Sequence, residues 1–113
     1  MDVGGTLQAL SDPSRRLILQ RLSQGPATSG QLAALLTTSR PAASQHLTHL
    51  AQAGLITSTT VGRHRWHELA PSALYELEQW VRELAETWAA SPSLDVSRLR
   101  HAPTPRHPEG ATP

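Results

Sequence analysis

The stretch TSGQLAALLTTSRPAASQHL, residues 28–47, decides how the rest of the chain is read. Thr28 and Gln31 have the spacing of a capping box, in which a hydroxyl and an amide side chain satisfy each other's free backbone N–H groups. A helix is therefore expected over roughly residues 29–36, with Leu32, Leu35 and Leu36 as its core face. Thr37, Thr38 and Ser39 then interrupt the periodicity. Ser39 is placed to cap a second helix, and Pro41 falls in its first turn, where the missing N–H costs nothing. That helix is expected to reach about Ala53, with Ala43, His46, Leu47 and Leu50 turned inward and Gly54 closing it. Two helices joined by so short a turn, the second opening on small and polar residues, form a helix-turn-helix.

Upstream, Leu7–Leu10 reads as a short apolar turn ending at Ser11-Asp12-Pro13. Asp12 as N-cap and Pro13 at the first helical position start a helix that Gly25-Pro26 stops, with Leu17, Ile18, Leu19 and Leu22 as its apolar positions. Downstream, the β-branched run Leu55–Val61, the pair Gly62-Arg63 and the alternating run His64–Leu69 predict a β-hairpin. Ser72 is the expected cap of a last helix ending near Ala90. Along it Leu74, Leu77, Val81, Leu84 and Trp88 recur at helical steps, and Trp80 widens the stripe. The fold class is mainly α, a winged helix-turn-helix with a two-stranded hairpin wing and a C-terminal helix.

A chain of 113 residues has room for one ordinary domain, placed at residues 1–90. Residues 91–113 hold five of the nine prolines and few apolar side chains, so this tail is expected to be disordered beyond Arg100. There is no cysteine, which excludes disulfides, thiolate metal sites and thiol catalysis. No run of apolar residues is long enough to span a membrane, and residues 1–5 lack the pattern of a signal peptide, so a cytoplasmic protein is expected.

The net charge of +1 hides a segregation. Between Asp12 and Glu68 no acidic residue occurs, while Arg15, Arg16, Arg21, Arg40, Arg63 and Arg65 all lie in that gap. The last helix reverses the sign, with Glu76, Glu78, Glu83 and Glu86 against Arg82 alone. A cationic face that attracts polyanions follows from this distribution.

In this order of elements the chain resembles the ArsR family of winged-helix repressors. The resemblance rests on Ala9-Leu10-Ser11-Asp12-Pro13-Ser14-Arg15-Arg16, on residues 39–47, on Ala53-Gly54-Leu55-Ile56 and on Gly62-Arg63-His64-Arg65, and it covers Leu7 to about Trp88. It implies a homodimer that binds an inverted-repeat operator in double-stranded DNA, often that of its own operon, and releases it when an effector binds. It also implies that Ser39, Arg40, Pro41, Ser44 and Gln45, at the start of the second helix of the motif, face the bases. Their chemistry suits that task, since Arg pairs bidentately with guanine and Gln with adenine in the major groove. Arg63, His64 and Arg65 correspond to the wing, which reaches along the DNA backbone or into the minor groove. For Arg15 and Arg16 two roles stay open, a phosphate contact and a pairing with an acid of the last helix.

Many members of that family sense metals, through cysteines before the reading helix or Asp and His ligands on the last helix. Neither set occurs here, so neither a metal nor another cofactor is expected. His46 and His49 read as core or helix-packing residues; His64 and His67, in the wing strands, remain the first suspects for a metal if one binds. No nucleophile elbow, phosphate loop or HExxH motif is present, and no enzymatic activity is expected. The stripe Leu77, Trp80, Val81, Leu84 and Trp88 is wider than one short helix on a small body needs, and pairing with a second copy explains it. The alternative function is a winged helix that binds protein instead of DNA, and the unbroken basic stretch argues against it.

Overall fold

The computed structural model describes residues 2–94 and 97. Among the described residues up to 94, five helices and three short strands follow in the order α1 (Val3–Leu10), α2 (Pro13–Leu22), β1 (Ala27–Thr28), α3 (Ser29–Leu35), α4 (Arg40–Gln52), β2 (Ile56–Val61), β3 (His64–Leu69) and α5 (Ser72–Ala90). The expected caps are in place for the three central helices. The Asp12 carboxylate accepts from Arg15 N, Thr28 and Gln31 close their capping box, and the Ser39 hydroxyl accepts from Ala42 N. Each removes one or two free N–H groups at a helix start, typically worth about 1 kcal/mol.

The core is assembled where α2, α3 and α4 meet the root of the hairpin. Ile18, Leu19, Leu22, Leu32, Leu47, Leu50, Leu55 and Ile56 are buried there, joined by Ala9 of α1 and Ala27 of β1. Burying a side chain such as Ile18 or Leu50 gains roughly 1.5–3 kcal/mol. Gly54 and Gly62 take positive φ, 76° and 61°, and only they make the two sharp reversals possible, α4 into β2 and β2 into β3. In the hairpin turn the positive φ falls on Gly62 and not on Arg63, so the arginine occupies an ordinary backbone position at the tip.

Several expectations are corrected. Leu7–Leu10 is not a turn but the end of the eight-residue helix α1, started by Asp2, whose carboxylate accepts from Gly5 N at 2.8 Å. Gly4 and Gly5, poor helix formers, had masked it. The hairpin carries a third strand, β1, which pairs antiparallel with β3 through Ala27↔His67 and Thr28↔Trp66. Two residues are too few to show alternation. Leu17 and Leu35 are exposed instead of core. At 100° per residue Leu17 lies well away from the arc that Ile18, Leu19 and Leu22 bury, and α3, two turns long, presents only Leu32 to the centre. Ser72 is the first residue of α5, not its cap; the cap position is Pro71, with no side-chain hydrogen bond. The tail expected to be disordered beyond Arg100 lies outside the described residues.

Helix α5 differs from the others in having no buried residue at all along its 19 positions. Its start touches the core through Ala73 and Leu74, and it packs beside α1. Leu77 is half-buried, but Trp80, Val81, Leu84 and Trp88 are 39%, 50%, 53% and 77% exposed. Glu78 and Arg82 pair at 2.9 Å on its polar side.

Candidate nucleic-acid interface

Helix α4 buries Ala43, Leu47 and Leu50 and turns its other side outward. Arg40, Pro41, Ser44 and Gln45 are all exposed on that side, as the sequence led us to expect. Ser39 is exposed as well, but its hydroxyl is engaged in capping the helix, 3.3 Å from Ala42 N. The outward face continues beyond them: Thr48, His49 and Gln52 border one shallow depression with Ser44 and Gln45. Sequence reasoning missed these three, although steps of four and seven from Ser44 and Gln45 reach all of them.

At the hairpin tip Arg63, His64 and Arg65 are exposed. Among the described residues none of Arg40, Arg63 and Arg65 has a salt bridge, so three guanidinium charges stand uncompensated on α4 and the hairpin. The arginines nearer the N-terminus behave differently. Arg15 donates through Nε to the Ala9 carbonyl at 2.7 Å and through Nη2 to the Gln8 carbonyl at 3.0 Å, while Arg16 Nη1 donates to the Leu10 carbonyl at 2.7 Å. Both therefore cap the C-terminal end of α1, a role that neither of the two open readings contained. Arg21 likewise donates to the Gly25 carbonyl at 3.1 Å.

The histidines divide by depth. His46 Nδ1 lies 3.4 Å from the Asp12 carboxylate and 3.5 Å from Arg15 Nη1, tying α4 to the start of α2. His67 is 2% exposed and sits between two hydroxyls, with Nε2 2.7 Å from Ser29 Oγ and Nδ1 2.7 Å from Ser58 Oγ. One imidazole thus joins α3 to both strands of the hairpin. Burial, and secondarily the positive charge of Arg65, push its pKa below the ordinary histidine value. His64 is exposed and, three residues away on the same strand, belongs to the opposite face, so the two suspects for a metal do not converge.

Known proteins match this arrangement of elements. The helix-turn-helix domain family matches residues 10–59. The HTH-type transcriptional regulator Rv2034 of Mycobacterium tuberculosis is 43% identical over an alignment of 82 residues that covers 68% of this chain and 77% of that protein. The transcriptional repressor SdpR of Bacillus subtilis is 33% identical over 79 residues, 70% of this chain and 88% of its own. The crystal structure of an ArsR family transcriptional regulator superposes with a TM-score of 0.77 at 34% identity, covering 80% of this chain and 94% of that one. The chain belongs to the ArsR family. As an ArsR-family member it is a DNA-binding transcriptional regulator with a winged helix-turn-helix, and α4 with the β2–β3 hairpin carries three exposed arginines that have neither a salt bridge nor a hydrogen bond among the described residues. Among its described residues no helix is long and apolar enough to cross a membrane.

Proposed function

We propose that this ArsR-family regulator is a repressor that binds an inverted-repeat operator as a homodimer, acting by binding and without catalysis, in the cytoplasm. Ser39, Arg40, Pro41, Ser44 and Gln45 are the surface that α4 presents to one major groove and its edge, and Arg63, His64 and Arg65 form the contacts of the wing. Leu77, Trp80, Val81, Leu84 and Trp88 pair with the same residues of a second copy. Residues 1–90 carry both tasks. The observation that carries this reading is a single chain with two unsatisfied surfaces: a cationic one on α4 and the hairpin, and an apolar one on α5. Duplex DNA satisfies the first and a second α5 the second.

In such a dimer the two α4 helices enter successive major grooves, so half-sites lie about one helical turn, roughly 34 Å, apart. Occlusion of a promoter is then sufficient for repression. The relative named a repressor, SdpR, supports that direction of control. The effector is not a metal ion in this reading, because the cysteine and the Asp/His ligand sets of metal-sensing relatives have no counterpart in these residues.

The test is selection of bound duplexes from a random pool, followed by binding of the selected site and a scrambled duplex. An inverted repeat is expected, bound by two chains. Gln45→Ala is expected to weaken the selected site by about 1–3 kcal/mol and to spare the scrambled duplex, because a bidentate base contact is worth something only on the right base. A selected pool without sequence preference, or equal weakening of both duplexes, overturns the assignment of α4.

A further inference from the structure

Strand alternation sorts the hairpin into two faces. The cross-strand pairs Ile56↔Leu69, Ser58↔His67 and Thr60↔Arg65 share one face, and Glu68, the first acid after Asp12, lies on the other. Along the shared face the chemistry is graded. It is apolar where Ile56 enters the core, neutral and polar at Ser58 and His67, and cationic at Arg65 nearest the tip. Between this face and α4 runs a cleft of about 430 Å³. Ser44 and Thr48 border it on the helix side, Arg65 on the strand side, and Ser29, Ser58 and the buried His67 line its inner end.

We propose that this cleft is a seat for a phosphodiester of the DNA backbone, held by the Arg65 guanidinium and the Ser44 hydroxyl, so that Arg65 and Arg63 do different work. The proposal rests on the DNA-binding reading above and deepens it. A helix in a major groove and a hairpin reaching the neighbouring minor groove stand on either side of one sugar-phosphate ridge, so whatever enters the space between them is phosphate.

The donors in the cleft suit that occupant. Arg65 has no salt bridge among the described residues, and its fork of N–H groups matches phosphate oxygens. Thr48 spends its hydroxyl proton on the Ser44 carbonyl at 3.0 Å, whereas the Ser44 hydroxyl makes no hydrogen bond among the described residues and is free to donate. A neutral imidazole offers one N–H and one lone pair. Of Ser29 and Ser58, then, one gives His67 its proton and the other accepts from it, which leaves that second hydroxyl proton available to a ligand. Arg63, beyond the end of the cleft, is left for the groove itself.

The experiment places single uncharged methylphosphonates at each position of the selected operator duplex and measures binding of wild type, Arg65→Ala, Arg65→Lys, Ser44→Ala and Arg63→Ala across a salt range. Wild type is expected to lose affinity at one or two phosphates per half-site, on the strand between the α4 contacts and the wing contacts. Arg65→Ala should no longer respond at those positions, and its slope of log K against log salt should be shallower by about 1.8 for the dimer, at roughly 0.9 per phosphate. Arg65→Lys should restore most of the slope, Ser44→Ala should weaken the same positions several-fold without changing it, and Arg63→Ala should leave their response intact. Circular dichroism and sedimentation of each variant separate these effects from misfolding. If wild type binds but Arg65→Ala shows the wild-type interference map and slope, the cleft holds no phosphate. If wild type binds no duplex, the DNA reading itself falls and the seat with it. Inorganic phosphate at matched ionic strength should compete no better than chloride; displacement of wild type but not of Arg65→Ala would make a free anion, not the backbone, the ligand and overturn the assignment.

Discussion

The core around α2, α3 and α4 and the helix α5 obey opposite rules within one chain. The first closes on itself: Ile18, Leu32, Leu50 and Leu55 are fully enclosed by their own chain, and its buried histidine has a partner for each ring nitrogen. The second carries an apolar stripe that is covered only at its start and left open at Trp80, Val81, Leu84 and Trp88. The difference teaches that the reading head encloses its own apolar residues, while α5 has the composition of half a core. In the proposed dimer a second α5 supplies the other half.

The strongest way to break this comparison is to open the head. Leu50→Ala leaves a cavity among Ile18, Leu32 and Leu55 and should cost about 2–5 kcal/mol of stability, the same at every protein concentration, read from denaturant midpoints. A concentration-dependent loss would mean that the head, too, is completed by a partner. Next in size is Leu84→Asp, which places a carboxylate in the expected α5 pairing. Sedimentation should then report a monomer at micromolar concentration, with a folded head by circular dichroism and at least tenfold weaker operator binding. Wild type that sediments as a monomer at that concentration overturns the α5 pairing outright. Smaller still is the expected response to metals: one equivalent of zinc, copper or cadmium per chain, or a chelator, should leave operator binding unchanged. Binding that needs or is abolished by a metal would turn attention to His64 and His67.

The smallest effect concerns His67, the ionisable side chain buried in the head among the described residues. The pKa of His67 is lowered in the folded chain, by burial first and by Arg65 second, so the unfolded chain takes up a proton more readily. Stability should be fully present above the ordinary histidine value of about 6.5 and should decline as pH falls through it. Denaturation at pH 5.5 and 8 checks this, and His67→Gln should flatten that part of the profile. No fading of stability below neutrality would show that the pocket accommodates the charged ring.

Much of this was legible because its signals are local. The Thr28–Gln31 capping box, the Ser39 cap and Gly62 each act within a few residues, and each sets the boundary expected of it. What was illegible is long-range. Nothing near His67 in sequence announces Ser29, 38 residues away, and the arginine clasp on α1 depended on a helix that Gly4 and Gly5 disguised. The outward placement of Arg40, Ser44 and Gln45 followed from helical period, whereas the cleft that sets Arg65 apart from Arg63 required the register of β2 on β3.

The clasp has a mechanical meaning. Three successive carbonyls at the end of α1, those of Gln8, Ala9 and Leu10, are held by guanidinium groups of α2, and Arg15 of the same clasp lies against His46 of α4. Because α1 lies beside α5, the clasp ties α5, by way of α1, to α2 and α4, in addition to the direct contact of Ala73 and Leu74 with the core. In the proposed dimer this three-point clasp would couple the separation of the two α4 helices to the α5 pairing, and so bear on which spacing of half-sites the protein can straddle.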